Sequence, residues 1–429
     1  MSKTEKKIPE LRFPEFAKSA EWEEKTLEEV GKTISGLSGK SAEDFGSGKP
    51  YVTYKQVFDN AWVDFSKCGF VQINDNENQN KVQEGDILFT TSSETPNEVG
   101  FASAVLEQPK EDTYLNSFCF AIRPNDLKNL QPEFSRYLFH SFTYRKAVSV
   151  LAQGSTRFNI SKSSFLNLKI SIPKLKEQQK IASCLSSLDE VIAIYSQKLE
   201  QLKDHKTGLL QNLFPAQGEK IPKVRFKGFK GAWEERFVED FFSVGSSKRV
   251  LQEDWTNQGV PFYRTRELVS LNKNEPFGSE IFISEELFLE LSERYGVPKE
   301  GDFLVSGVGT LGVCYQVQAN DKFYFKDGNV LWFKLESGLN STYFKFCFQS
   351  DYIQSQIFKQ ASASTVGTYT IQNAKKTTVW CPPTLEEQQK IASCLSSLDE
   401  LITVQAEKIE QLELHKKGLM QGLFPKINN

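Results

Sequence analysis

The chain has 429 residues, more than one hydrophobic core usually serves, and with 39 % hydrophobic and 25 % charged residues it is neither a single small module, a disordered polymer nor an uninterrupted rod. A net charge of −3 leaves no overall basic surplus for a polyanion, and no run approaches the roughly 18 apolar residues of a membrane span. Seven cysteines without a Cys-x-x-Cys pair and only three histidines give no reason to expect a disulfide or a metal, and the charged first ten residues lead to the cytosol rather than to export.

In chain order the first landmark is Ile8-Pro9-Glu10-Leu11-Arg12-Phe13, followed by Phe16 and Trp22. Pro50 to Val57 reads as a strand entered from a proline, with Tyr51, Thr53 and Lys55 alternating along one side. A turn at Glu84-Gly85-Asp86 leads into a second strand, Ile87 to Ser92. A helical stretch from Pro132 to Leu151 precedes a Ser/Thr-rich loop, Gly154 to Asn159. Residues 1–176 are therefore predicted to form a mixed α/β domain with much strand.

From residue 177 the pattern changes. Ile181, Leu185, Leu188, Ile192, Tyr195, Leu199, Leu202, Lys206, Leu209 and Leu213 alternate in steps of four and three, the seam of a heptad helix. The helix is predicted to run about 30 residues, 45 to 50 Å, with Gly208 and then Phe214-Pro215 marking its exit.

The order then starts again. Ile221-Pro222-Lys223-Val224-Arg225-Phe226, with Phe229 and Trp233, answers the first landmark. Pro261 to Val269 reads as the entering strand, and Phe303 to Gly307 follows the turn at Glu300-Gly301-Asp302. Ser341 to Gln360 is the helical stretch, and Ser362 to Tyr369 the hydroxyl-rich loop. Glu387 to Pro425 repeats Glu177 to Pro215 without a gap, with 27 of 39 residues identical and the first fourteen unchanged. Its seam is Ile391, Leu395, Leu398, Ile402, Gln405, Ile409, Leu412, Lys416, Leu419 and Leu423. Ile160 and Pro173 answer Ile371 and Pro383. An offset of 210 residues is far too long for a solenoid, so a whole unit has been duplicated.

The predicted organisation is a mixed α/β (α+β) chain with a pseudo-twofold internal repeat: domain 1–176, helical spacer 177–215, domain 216–386, spacer 387–429. Two near-identical seams are self-complementary, which favours an antiparallel coiled coil between the two helices. The alternative is that each helix lies on its own domain. Lys206 and Lys416, charged and on the seam, imply that the last turns are less tightly sealed or meet another group.

Catalytic motifs fail on inspection. Gly307-Val308-Gly309-Thr310-Leu311-Gly312 matches the dinucleotide-binding glycine pattern, but Val313 to Val317 alternates like a strand where that motif needs a helix. Gly39-Lys40-Ser41 lacks the first glycine of a phosphate loop, since Ile34 stands there. His205 and His415 are equivalent in the repeat, which fits packing or partner contact better than a unique acid/base role. His140 reads as structural, and Cys184 and Cys394 as small core residues.

The order of these parts resembles the specificity (S) subunit of Type I restriction-modification enzymes. The repeated Glu-Gln-x-x-Ile helix ending in Gly-Leu-Leu-Gln or Gly-Leu-Met-Gln, then Leu-Phe-Pro, carries the resemblance, which covers nearly all of the chain. It implies a non-catalytic DNA-binding protein in the bacterial cytoplasm, at the nucleoid, whose two domains each read one half of a split double-stranded target. It implies that the helices set the gap between halves and dock two methyltransferase (M) subunits. Those would bring S-adenosylmethionine and methylate adenine N6, while restriction (R) subunits add translocation and cleavage with ATP and Mg; no cofactor is implied for this chain.

By position, the resemblance points to Tyr51, Thr53, Lys55, Thr91, Ser92, Arg157 and Asn159 as DNA contacts in the first domain. In the second it points to Tyr263, Arg264, Arg266, Ser306, Thr310, Thr368 and Tyr369. Arg264 and Arg266 should leave one face of a strand, as readers of guanine or with one of them on phosphate. Glu94 stands where a basic residue would be usual, to accept from cytosine or to lie away from DNA. A two-headed protein-binding scaffold is the competing reading, because near-neutral domains with aromatic loops would serve peptides as well.

Overall fold

The computed structural model describes residues 7–154, 157–273, 281–362 and 367–426. It divides into two compact units, Met1–Ser196 with Glu407–Asn429, and Gln197–Ala406. No helix among the described residues is long and apolar enough to cross a membrane.

In the first unit the strand Ile87–Thr90 is buried throughout, and its alternation explains why. Ile87 and Phe89 enter the main core with Phe120, Ile122 and Phe165, while Leu88 on the opposite face joins Val52, Val57 and Ala121. A strand covered on both faces must read as a continuous apolar run. It lies between Cys119–Pro124 and Ala102–Ala104, with Gly31–Ser35 outermost, in an all-antiparallel sheet. The second unit repeats the frame with Phe242–Gly245, Val330–Leu335, Phe303–Ser306 and Cys314–Gln316. Again Phe303 and Val305 face one core and Leu304 another.

The Gly-Asp turns are the anchors of these central strands. Gly85 and Gly301 adopt φ of 85° and 89°, a conformation glycine enters without steric cost. The aspartate that comes next is buried and fully engaged. Asp86 accepts from Arg123 Nε and Nη2 at 2.7 and 2.8 Å, and Asp302 accepts from Trp332 Nε1 and the Leu335 amide, both at 2.9 Å. The signature thus ties each turn to the neighbouring strand.

The runs entering from proline are shorter than predicted. Strands end at Val52 and Tyr263, and helices Tyr54–Asp59 and Thr265–Lys273 begin at once. Local capping overrides the β-rich composition: Thr53 Oγ1 accepts from the Gln56 amide at 3.2 Å, and the Glu267 carboxylate accepts from the Arg264 amide at 2.9 Å. Thr53, Lys55, Arg264 and Arg266 therefore lie at a strand-to-helix junction and not on one strand face.

The repeated helices are Leu175–Asn212 and Leu385–Gly422, 38 residues or about 57 Å each. They pass through Gly208 and Gly418, predicted to mark their ends, because an interior glycine costs only about 1 kcal/mol and Leu209, Leu210 and Leu213 pack directly onto a core. In the first unit Ile181, Ala182 and Leu185 share a core with Leu419, Met420, Leu423 and Phe424. In the second, Ile391, Ala392 and Leu395 share one with Leu209, Leu210, Leu213 and Phe214. The opening turns of each helix thus lie on their own domain and run antiparallel to the closing turns of the other. The seam lysines are paired: Lys416 with Asp189 at 2.5 Å, Lys206 with Asp399 at 2.6 Å. Asp189 also accepts from Arg136 Nη2 and Tyr137 Oη at 2.8 and 2.7 Å. His205 and His415 are exposed, so neither is a packing residue.

The Leu-Arg-Phe landmarks close each unit. The Leu11 amide donates to the Gly422 carbonyl at 2.8 Å, capping one helix end, and Arg12 makes a bidentate pair with Glu177 at the start of the other, 2.8 Å at each contact. The Val224 amide and Arg225 repeat both contacts on Asn212 and Glu387. Both glutamates are no more than 3 % exposed. Arg12→Ala would strand Glu177 and should destabilise the first unit by about 3 kcal/mol, measured by urea unfolding. Adding Glu177→Leu to Arg12→Met should recover part of that loss; no recovery would mean the pair is not the source of it.

Candidate nucleic-acid interface

One edge of each unit gathers polar and aromatic side chains around the end of the central strand. In the first unit the Thr91 amide and Oγ1 both donate to the Phe118 carbonyl, at 3.1 and 2.7 Å, and the Ile160 amide donates to the Thr91 carbonyl at 3.1 Å. Ser92 and Ser93 pair with Asn159 and Phe158 in a small antiparallel sheet. Arg157 places its guanidinium 5.5 Å from the Phe118 ring, itself 54 % exposed. Tyr54 Oη donates to the Ser92 carbonyl at 2.5 Å. Thr91, Arg157 and Asn159 thus meet in one patch with Tyr54 and Phe118, which sequence reasoning passed over.

Other predicted residues serve differently. Ser92 is buried, and Tyr51 packs against Phe45 in a satellite core with Leu37, Val71 and Tyr114, where burial raises its phenol pKa. Lys55 is an exposed partner of Asp59 at 2.7 Å, and Thr53 is the helix cap. Glu94 is exposed in the loop beyond Ser93. That loop is braced by Arg145, which donates to the carbonyls of Asn97, Val99 and Gly100 and lies 4.2 Å from the Phe101 ring. Ser155 and Thr156 of the predicted hydroxyl-rich loop lie outside the described residues.

The second unit uses the same backbone logic with other side chains. The Gly307 amide donates to the Asn329 carbonyl and the Tyr369 amide to the Gly307 carbonyl, both at 2.9 Å, so Gly307 answers Thr91 and Tyr369 answers Ile160, not Ile371. A Cβ at Gly307 would come within 2.7 Å of the Tyr369 carbonyl oxygen, which explains the glycine. Ser306, fully buried, donates to the Thr310 carbonyl at 2.6 Å and accepts from the Val313 amide at 2.9 Å. It staples the glycine loop, as Thr90 Oγ1 does by accepting from the Phe101 amide at 3.1 Å. Tyr369 is also scaffold, buried with its hydroxyl 2.7 Å from Thr377 Oγ1. The strand Cys314–Gln316 comes after the loop, as the alternation implied.

Thr310 is exposed on this loop, and Thr368 is half-buried beside it. A Cβ at Gly309 would stand 3.8 Å from the Thr265 methyl, which brings the loop against the junction that carries Arg264 and Arg266. Tyr263 stacks on Phe323 with centroids 4.7 Å apart. Glu267, 2 % exposed, accepts from Arg264 Nε at 3.1 Å and Nη2 at 2.5 Å, and from Arg266 Nη2 at 3.3 Å. Burial alone would raise the pKa of Glu267, but the Arg264 hydrogen bonds outweigh it and the net shift is downward, so the carboxylate is charged at neutral pH. Its signal in the sequence was the spacing of three from Arg264. Ala363 to Val366 lie outside the described residues.

A family model described as the Type I restriction modification DNA specificity domain matches residues 19–204 and again 230–414. The provisionally named MjaX type I restriction enzyme specificity subunit of Methanocaldococcus jannaschii is 26 % identical over 427 residues, 94 % of this chain and 93 % of its own. The StySPI specificity subunit of Salmonella potsdam is 32 % identical over 143 residues, 33 % of this chain and 30 % of that one. The fold is shared with the S subunit of the Type I restriction-modification system from M. genitalium, TM-score 0.55 at 15 % identity, over 98 % of this chain and 100 % of that one. It is also shared with a chain from the complex assembly and conformational transition of the type I R-M system, TM-score 0.59 at 16 % identity, over 94 % and 97 %.

Removing the staple should loosen the glycine loop without unfolding the unit. Ser306→Ala is expected to cost about 1 to 2 kcal/mol and to speed hydrogen exchange at the Val313 amide. Unchanged exchange there would show that the loop is held by other contacts.

Proposed function

The chain belongs to the Type I restriction-modification DNA specificity domain family, as a non-catalytic specificity subunit with two recognition domains, and from that premise we propose how it divides a DNA target. Each domain reads one half of a bipartite sequence through the edge around its central strand. The observation that carries this reading is one frame with two contents. The same strand-end hydrogen bonds and hydroxyl staple present Tyr54, Thr91, Phe118, Arg157 and Asn159 in one unit, and Arg264, Arg266, Thr310 and Thr368 in the other. Equal frames with unlike side chains suit two unlike half-sites.

The paired helices set the spacing between the halves. A helix of about 57 Å is of the right order for half-site centres one DNA turn apart, about 34 Å, plus the depth of the docked domains. The helices also dock two M subunits. Exposed residues that no core explains, Ser183, Ser187 and Glu190, recur unchanged as Ser393, Ser397 and Glu400, which supports two copies of one partner. S-adenosylmethionine would then act in the M subunits, directing methylation to adenine N6, and ATP and Mg in the R subunits that cleave. Near-neutral charge is compatible with this division, because the partners can supply much of the phosphate neutralisation.

We take 1–176 and 216–386 as the exchangeable readers and 177–215 and 387–429 as the spacers. Replacing 216–386 with another such domain should change one half-site and leave the other, as read by single-molecule sequencing of methylated genomic DNA. Inserting four residues near Glu200 should change the gap and leave the bases. A full assembly with M subunits that binds DNA without sequence preference would overturn the reading.

A further inference from the structure

Arg264 is held in a way that a phosphate contact does not require. Glu267 engages it side-on, through Nε at 3.1 Å and Nη2 at 2.5 Å, while its amide at 2.9 Å fixes the same carboxylate to the first turn of the helix. The guanidinium also lies 6.0 Å from the Trp255 ring. Side-on pairing uses one edge of the planar fork and leaves the other. Nη1 has no hydrogen-bond partner among the described residues, and together with the outer hydrogen of Nη2 it forms a second pair of parallel donors. The Arg264 side chain is 26 % exposed and Nη1 is not among the buried polar atoms left without a partner, so this second edge reaches solvent.

The neighbouring cation provides the contrast. Arg266 is 59 % exposed and makes a longer contact, 3.3 Å, with the same carboxylate. The two-point contact with Glu267 fixes Arg264 in plane and direction. A bidentate fork also suits phosphate, but phosphate presents its oxygens in many directions and does not depend on one fixed plane. The major-groove edge of guanine, with O6 and N7 side by side, rewards a fixed pair of parallel donors.

We propose that Arg264 reads a guanine in the half-site of the second domain and that Glu267 is the positioning residue that aims it. The inference rests on the specificity-subunit reading above, and its test is arranged so that the two can fail separately. The target is first determined with the native chain assembled with its M subunits, and the half-site of the second domain is assigned by exchange of 216–386. That half-site should contain a guanine whose replacement by 7-deazaguanine, which lacks only the N7 acceptor, weakens binding of the native assembly about 10- to 100-fold. Arg264→Ala should make binding indifferent to that replacement. Glu267→Gln should relax the preference at that base pair while discrimination in the other half-site stays intact, a result that general loss of structure would not give.

The proposal is overturned if the assigned half-site has no guanine, or if 7-deazaguanine at each of its guanines leaves native binding unchanged. It is also overturned if Arg264→Ala weakens all sequences alike and lowers the salt slope by about one, the behaviour of a phosphate contact. An assembly with no bipartite target would instead bring down the specificity-subunit reading itself, and this inference with it.

Discussion

The structure depends on a carboxylate buried at the first turn of each repeated helix. Glu177 and Glu387 lie at the start of helices whose outer faces are polar, and each is neutralised by an arginine from a segment more than 160 residues earlier. A buried charge paired with a single cation is costly to disturb, so the clamp fixes where the Leu-Arg-Phe segment runs. That segment in turn caps the end of the opposite helix through the Leu11 or Val224 amide. One short motif therefore fixes both helix ends within a unit, and the aromatic cores around Trp22 or Trp233 close over it.

With the helix ends fixed, the central strands become the reference from which the edges are built. Asp86 and Asp302 hold the turn at one end of these strands. Thr90 and Ser306 tie down the loop at the other end. Variation is tolerated around those anchors, because the bonds at Thr91 and Gly307 are made by the backbone, although the nearby Tyr369 carbonyl restricts position 307 itself to glycine. The two units consequently share hydrogen bonds and differ in chemistry, Arg157 over Phe118 in one and Arg264 on Glu267 in the other.

Much of this was legible in the sequence, and the failures have physical causes. The heptad seam and the duplication could be read because burial imposes a strict period, and the polar loops around Arg157, Asn159 and Thr310 announced an edge. Gly208 and Gly418 misled because the cost of a helical glycine is small beside the packing of the leucines just beyond it. The junctions after Pro50 and Pro261 were misread as strands because β-rich composition spoke louder than a single capping contact from Thr53 or Glu267. Ser306 and Tyr369 are buried scaffold, and the sequence does not reveal it, since a hydroxyl that staples a loop has the same letter as one that faces a ligand. Phe118 and Arg145 carried no local signal at all.

The first unit draws its core from two stretches far apart in the chain. Leu423 and Phe424 pack with Trp22 and Phe134, whereas the second unit is continuous from 197 to 406. During synthesis from the amino end, the domain made first cannot seal its core until residue 424 has left the ribosome, after the domain made second is complete. Vectorial synthesis and final assembly thus run in opposite order, and the earlier half of the nascent chain waits longest with an apolar surface uncovered.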